Sequence, residues 1–261
     1  MNKTITKNFY KYKSNNHKRK NITIKKNKKL KLNTNNKEPI IKSNFECGNI
    51  IQHKLIISKN KIKFILEFNS DFYNENNKNN NVSSGWFYFS VSNILFKNCD
   101  FILQNPPFKN KPWDNFKPVY SYDNKNWKYL KNTVFNKESI KFSIKPSENK
   151  IFIAYYVPFK KKDYNNFKTI LEKSFLFNKT KNPYYKYKKI KIGYSLKNQP
   201  IHFYKITDKR YEKHNKNLWL IAGQCSMETM GIYTLKGFIL RLIKDNIDLC
   251  KKYNIYFSIQ I

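Results

Sequence analysis

Leu218 to Lys236 reads LWLIAGQCSMETMGIYTLK. Five apolar or small residues, Leu218 to Ala222, run into Gly223, Gln224 and Cys225, and Glu228 then opens a segment whose apolar residues recur at helical spacing. This pattern predicts a buried strand that turns sharply into a helix. In an open α/β sheet the carboxyl ends of the strands are the usual place for a site. The junction carries Cys225 and Glu228, three apart, both potential metal ligands.

Beyond the junction, Leu235, Phe238, Ile239 and Leu242 stand at i, i+3, i+4 and i+7, an apolar stripe for a sheet. Gly237 costs such a helix about 1 kcal/mol relative to Ala, so it reads as a point of close packing. Lys244, Lys251 and Lys252 gather near the helix end, where cations suit the dipole. Asn254 to Ile261, NIYFSIQI, reads as a strand. Upstream, Lys188 to Tyr194 and Pro200 to Thr207 read as two strands joined by SLKNQ. His202 lies inside the second and reads as packed, and His214, in the polar loop Asp208 to Asn217, as solvated. Before them, Asp163 is a candidate N-cap for a helix with Tyr164, Phe167, Ile170 and Leu171 at helical spacing.

From Ser43 to Phe159 the period is that of strands. In Lys61 to Phe68, Ile62, Phe64, Leu66 and Phe68 face one way and Lys61, Lys63 and Glu67 the other, with Ile65 out of pattern. GWFYFSVSN, Gly85 to Asn93, has an aromatic residue at every position from Trp86 to Phe89, which fits a strand packed on both faces. An exposed base-stacking platform is the alternative for those rings. Phe101 to Asn105, Val119 to Asp123, Ile140 to Ile144 and Ile151 to Phe159 continue the series, and Pro106, Pro107, Pro112 and Pro118 fall between strands. Short strands at regular spacing predict an antiparallel β-sandwich over residues 41–160. The Asn-rich run Asn74 to Asn81 reads as an expanded loop.

Residues 1–40 are mostly Lys and Asn and cannot bury a face, which predicts a disordered basic tail. The whole chain of 261 residues carries a formal charge of +35, a balance usually associated with nucleic acid or acidic membranes. Yet its only arginines are Arg19, Arg210 and Arg241, and a sequence-specific reader of nucleic acid relies on Arg for bidentate contacts. The excess of Lys, Asn, Ile, Phe and Tyr fits AT-rich coding drift, leaving nonspecific polyanion adhesion as the expectation. Four cysteines, Cys47, Cys99, Cys225 and Cys250, without C-x-x-C spacing read as free thiols in a reducing compartment. No window has the continuous apolar length of a membrane span, and the start of the chain has no apolar signal core. A cytoplasmic protein without a membrane partner is expected.

Several stretches, in order, resemble the cytosolic carboxypeptidase branch of the zinc metallocarboxypeptidases. SNFECGNI resembles that family's "F-x-S-G-N" opening, and GWFYFSVSN its "W-F-Y-F-R-V-x-N" strand, with Ser90 in place of the Arg. Val119 to Trp127 resembles "P-V-x-Y-S-x-D-x-x-x-W", IFIAYYVPF the strand that closes the N-terminal domain, and IGYSLKNQPIHFYKIT the hairpin before the metal strand. The Gly223 to Glu228 corner is similar to the family's zinc corner, where the His and Glu of H-x-x-E bind the metal; Glu228 matches and Cys225 stands at the His position.

The resemblance implies a β-sandwich N-terminal domain followed by an incomplete α/β, mixed-sheet metallocarboxypeptidase domain over residues 161–261. It implies zinc as cofactor, peptide or protein C-termini as substrates, and in some members removal of glutamates from acidic tails. The family's second His, substrate-gripping arginines and catalytic Glu lie downstream of the point that Ile261 reaches. The implied function is therefore zinc-dependent hydrolysis of C-terminal residues that this single chain does not perform, with no catalytic residue assigned here. The other reading is a non-catalytic β-sandwich interaction protein, in which Cys225 is a small buried hydrophobe and Glu228 a helix-start acid favoured by the dipole.

Overall fold

The computed structural model describes residues 5–8, 37–59, 61–68, 85–106, 116–136, 138–181, 183–195, 198–225, 227–245 and 247–260. The chain divides into two compact units, Met1–Tyr155 and Tyr156–Ile261, a boundary five residues before the one the period change predicts. The Asn-rich run and Pro107 and Pro112 lie outside the described residues.

The first unit holds β1 (Ile5–Asn8), β2 (Ile40–Lys42), β3 (Ile51–Ile57), β4 (Lys61–Glu67), β5 (Tyr88–Ser92), β6 (Asn98–Gln104), β7 (Val119–Ser121), β8 (Lys128–Tyr129), β9 (Thr133–Asn136), β10 (Ser139–Ile144) and β11 (Lys150–Ala154). They form two sheets, ordered β1-β3-β4-β6-β10-β9 and β2-β5-β11-β7-β8. The alternation in β4 holds as expected: Ile62, Phe64 and Leu66 are buried and Ile65 is only half-buried. Phe64 stacks on Phe101 of β6 at 4.8 Å, Phe101 on Phe142 of β10 at 5.2 Å, and Phe89 of β5 reaches Phe101 from the other sheet at 5.8 Å. That chain of rings is the centre of the sandwich.

Two expectations for this unit need correction. The sandwich is not purely antiparallel: β4 and β6 pair in parallel, Lys61 against Asn98 through Glu67 against Gln104. The intervening β5 belongs to the opposite sheet, so the chain crosses the core and re-enters the first sheet in its original direction. Within the expected tail, Ile5–Asn8 pairs antiparallel with β3; an edge strand offers unpaired N–H and C=O groups to any extended segment and requires no apolar face of it.

Trp86 to Val91 are buried without a break, as a strand covered on both faces requires, so these rings offer no stacking platform to a base. One cover is the Ser43–Asn49 turn. Trp86 Nε1 donates to Cys47 O at 2.7 Å, Asn49 Nδ2 to Trp86 O at 3.2 Å, and Phe45 meets Tyr88 edge-on at 4.8 Å. A side chain at Gly48 would lie 2.1 Å from Ser43 O, so only glycine fits the turn. On the same face Trp127 lies 5.9 Å from Tyr88, whose hydroxyl donates to Asn124 Oδ1; burial pushes that phenol up to about 12.

The second unit comprises α1 (Lys161–Lys181), β12 (Tyr185–Tyr194), β13 (Pro200–Asp208), β14 (Lys216–Ala222), α2 (Thr229–Asp245), a 3-10 turn (Ile247–Lys251) and β15 (Tyr253–Ile259). The sheet order is β12-β13-β15-β14, with β12/β13 and β13/β15 antiparallel and β14/β15 parallel across α2, so the sheet is mixed as expected. Phe167, Leu171 and Phe175 of α1 and Ile232, Leu235, Ile239, Leu242 and Ile243 of α2 share one core with Tyr204, Ile206, Ile255 and Phe257 of the sheet.

Local chemistry explains where these helices depart from their expected stripes. Lys160 precedes α1, and its N–H donates to Asp163 Oδ2 at 2.9 Å, so Asp163 is the acid three residues inside the cap rather than the N-cap itself. Ile170 is exposed, and the buried line steps by fours through Phe167, Leu171 and Phe175. In α2, Phe238 is 39% exposed and Ile243 takes its place in the core. Gly237 allows no close packing, because a Cβ there meets nothing within 4 Å.

A candidate metal corner at the end of the parallel pair

β14 ends at Ala222, one strand from the end of β15 at Ile259, and Gln260 N–H donates to Ala222 O at 2.9 Å. Gly223 then turns the chain with φ +80°, a value L side chains rarely adopt. A Cβ on Gly223 would lie 2.2 Å from Gln260 O and 2.8 Å from Ile232 Cδ1. The sharp strand-to-helix turn expected from the sequence therefore exists, and glycine is what permits it.

Cys225 and Glu228 close the corner on each other. Glu228 N–H donates to Cys225 O at 3.0 Å, and Cys225 N–H donates to Glu228 Oε2 at 3.3 Å. Glu228 O then accepts from Ile232 N–H at 3.4 Å, the first bond of α2. Both residues are exposed at the carboxyl end of a parallel pair, so the structure brings the two expected ligand positions together on one turn. The expectation that Cys225 is a buried small hydrophobe fails; the buried cysteines are Cys99 and Cys250, whose thiols burial pushes up to about 12.

The corner alone does not fit zinc. A structural or catalytic zinc takes three or four protein ligands, and here one thiol and one carboxylate face solvent, the carboxylate already holding a backbone N–H. Among the described residues no group of three or more His, Cys, Asp or Glu could hold a metal ion. His202 is half-buried in β13 with its ring 6.4 Å from that of Tyr204; burial, then Lys189, Lys168 and Lys191, hold its pKa below the usual imidazole value. His214 is exposed, as its polar loop implied. Thr229 Oγ1, at the start of α2, is buried without a hydrogen-bond partner.

Two features of this unit escaped the sequence. The strand Leu218 to Ala222 is not buried on both faces: Leu218, Leu220 and Ala222 turn toward the core, while Trp219 is 56% and Ile221 45% exposed. Among the described residues β14 is the last strand of its sheet, and a continuous apolar run does not distinguish an edge from a centre. The second is Asp208, fully buried at the end of β13. It accepts Arg210 Nη2 at 2.6 Å, Nε at 3.1 Å and the Arg210 backbone N–H at 3.0 Å. Arg210 also lies 4.3 Å over the Tyr184 ring. One of only three arginines two residues beyond a strand-ending Asp was the available signal.

No curated protein matches the sequence. Residues 41–156 match the family described as cytosolic carboxypeptidase N-terminal domain. Among solved structures, the chain is similar to a metallo-carboxypeptidase from Burkholderia cenocepacia, at 20% identity and a TM-score of 0.62, over 84% of this chain and 55% of that one. It is also similar to a metallo-carboxypeptidase from Pseudomonas aeruginosa in complex with (2-guanidinoethylmercapto)succinic acid, at 19% identity and a TM-score of 0.59, over 84% and 54%. A protein from Shewanella denitrificans assigned as carboxypeptidase A matches at 21% identity and a TM-score of 0.64, again over 84% and 54%. The chain thus spans little more than half the length of these solved relatives, and at such identity the likeness is one of fold. Residues 41–156 thus match a cytosolic carboxypeptidase N-terminal domain, and the chain shares the fold of these metallo-carboxypeptidases over 84% of its length.

Proposed function

We propose that this chain is the N-terminal half of a zinc-dependent metallocarboxypeptidase that acts in the cytoplasm on C-terminal residues of peptides or proteins, and that by itself it is inactive. The observation that supports this reading is the Gly223 to Glu228 corner: two ligand-type residues exposed where parallel β14 and β15 end, with no third donor beside them among the described residues. Glu228 is the proposed inherited ligand and Cys225 its altered neighbour. A thiolate can bind zinc at about 2.3 Å, but two donors do not close a site. What this chain itself supplies is Glu228, held through the Cys225 N–H, and the turn that Gly223 fixes.

The test is metal analysis of the purified chain together with mass-spectrometric detection of residues released from peptide C-termini. Sub-stoichiometric zinc and no released residue are expected, and a full equivalent of tightly held zinc or clear trimming would sink the proposal of an inactive half. The second reading, a non-catalytic interaction module, is favoured by the sandwich having a continuous buried aromatic core while, among the described residues, the corner is short of donors. In that case zinc and hydrolysis stay absent whatever other polypeptide is added. Adhesion to polyanions follows from the +35 charge alone; it is expected to vanish between low salt and about 0.2 M salt. No helix among the described residues is long and apolar enough to cross a membrane.

A further inference from the structure

One end of the first unit carries the turn Ile94–Lys97, which joins β5 to β6 and is closed by Lys97 N–H donating to Ile94 O at 3.1 Å. A second backbone bond, Phe96 N–H to Pro146 O at 2.9 Å, ties the turn to the residues that follow β10. At the tip Leu95 is 44% and Phe96 64% exposed, while Ile94 and Pro146 are buried. Phe96 also stands at φ +54°. Among the described residues the other non-glycine positions with positive φ are Cys47 and four Asn, and Asn is a residue type that tolerates this backbone. A Phe there bears the cost of left-handed backbone and of an aromatic ring in water together, and such an outlier points to a task performed at that place. The same end is basic. Asp100 accepts Lys61 Nζ at 2.6 Å and Ser143 Oγ at 2.8 Å, in a shallow cleft of about 320 Å³ that Lys145 also lines. Lys97 adjoins Phe96 and donates from Nζ to Asn93 O at 3.3 Å. Glu38, whose carbonyl accepts from Asn93 Nδ2 at 2.8 Å, and Glu148 have Lys37 and Lys150 within two residues of them.

We infer that this end of the sandwich docks on an anionic lipid surface, with Leu95 and Phe96 entering the headgroup boundary and Lys97 and Lys145 meeting the acidic headgroups. The occupant follows from size and charge. Two side chains fall far short of the roughly 800 Å² per partner that a stable protein interface buries. A small apolar insertion joined to basic residues is instead the pair of signals that holds a protein at a bilayer surface. The net charge of +35 repels a second copy and favours an anionic surface. The sequence expectation of no membrane partner rested on the missing apolar span, which a surface contact does not need.

The test is co-sedimentation of the full chain with vesicles of two parts phosphatidylcholine to one part phosphatidylserine, at about 0.2 M salt, where adhesion by charge alone is lost. The wild-type chain is expected to sediment with these vesicles and to stay in solution with phosphatidylcholine alone. Phe96→Gly keeps the charge of +35 and suits the positive φ, so the turn keeps its shape. It should lower the partition coefficient at least about tenfold, from the lost ring, without lowering the thermal midpoint. Should that midpoint fall, Phe96→Asn, which tolerates the same backbone, must give the same loss of partition. Lys145→Gln should lower partition about two- to fivefold. Val134→Ser, at a 63% exposed position on β9, is the control and should change nothing. A wild-type chain that stays in solution, a Phe96→Gly chain that binds as the wild type does, an equal loss from Val134→Ser, or equal binding to phosphatidylcholine alone would each overturn the inference.

Discussion

At Gly223 the backbone is held at φ +80° with Gln260 O 2.2 Å and Ile232 Cδ1 2.8 Å from where a Cβ would stand. Left-handed backbone costs an L residue about 1–2 kcal/mol before any contact is counted, and the carbonyl of Gln260 is backbone that cannot rotate away. Gly223→Ala is therefore expected to destabilise the second unit by more than about 2 kcal/mol, read as a lower urea midpoint. Gly237 is the opposite case, exposed inside α2 with open space around it. Gly237→Ala should raise stability by about 0.5–1 kcal/mol, because nothing is displaced and the unfolded chain loses freedom. The sequence alone reads Gly237 as a point of close packing and Gly223 as part of a sharp turn; the backbone angle and the neighbouring atoms show that the close approach is at Gly223. Asp208 gives a pH-dependent test. Hydrogen bonds from Arg210 hold its carboxyl below the usual Asp value against the opposing effect of burial. A lowered folded pKa means the contribution is complete above about pH 4–5 and is lost as pH falls through the folded value. Asp208→Asn should cost about 1–3 kcal/mol at pH 7, reduced from the full penalty of a broken buried pair because Arg210 is partly exposed and can turn to water. The variant should also lose part of the wild-type decline in urea midpoint between pH 5 and pH 3.

At the scale of the element, what could be read in advance was whatever a local period determines. The β4 alternation, the doubly covered β5 and the strand-turn-helix at Gly223 each follow from spacing that one element imposes on its own side chains. What spacing does not encode is which element lies alongside. LWLIA in β14 reads like a central strand, yet Trp219 and Ile221 face solvent because β15 is its only partner among the described residues. The parallel β4/β6 pair was hidden for the same reason: nothing in Lys61–Glu67 or Asn98–Gln104 reveals that the strand between them belongs to the other sheet. In α1 the stripe drifts from Ile170 to Phe175 because the helix meets a stack in which Phe175, Tyr187, Tyr204 and Phe257 follow ring on ring at 5.1, 5.7 and 5.2 Å. Phe167 lies at the far end of that stack, 6.3 Å from Phe257, and is fully buried. Phe167→Ala should cost about 3–5 kcal/mol, measurable by urea unfolding, since the surrounding rings cannot collapse into the space.

At the scale of the whole molecule the question is whether two exposed donors on one turn amount to a metal site. A ligand that binds only the folded chain stabilises it by RT ln(1 + [L]/Kd), about 2.7 kcal/mol at a hundredfold excess over Kd. For a chain of this size that corresponds to a rise of roughly 5–10 °C in thermal midpoint. A corner that offers Cys225 and Glu228 without a third donor gives no such affinity, so micromolar zinc is expected to leave the midpoint of the chain within about 1 °C of its metal-free value. Cys225→His replaces the thiol by an imidazole donor while keeping the count at two, and it too should show no zinc-dependent rise. The rise should come when a polypeptide bringing another ligand to the ends of β14 and β15 is present, and Glu228→Gln should then abolish it. A rise of several degrees in the single chain would mean that residues outside the described ones complete the site. No rise in the assembled complex would mean that the corner keeps the shape of a metal cradle without its chemistry.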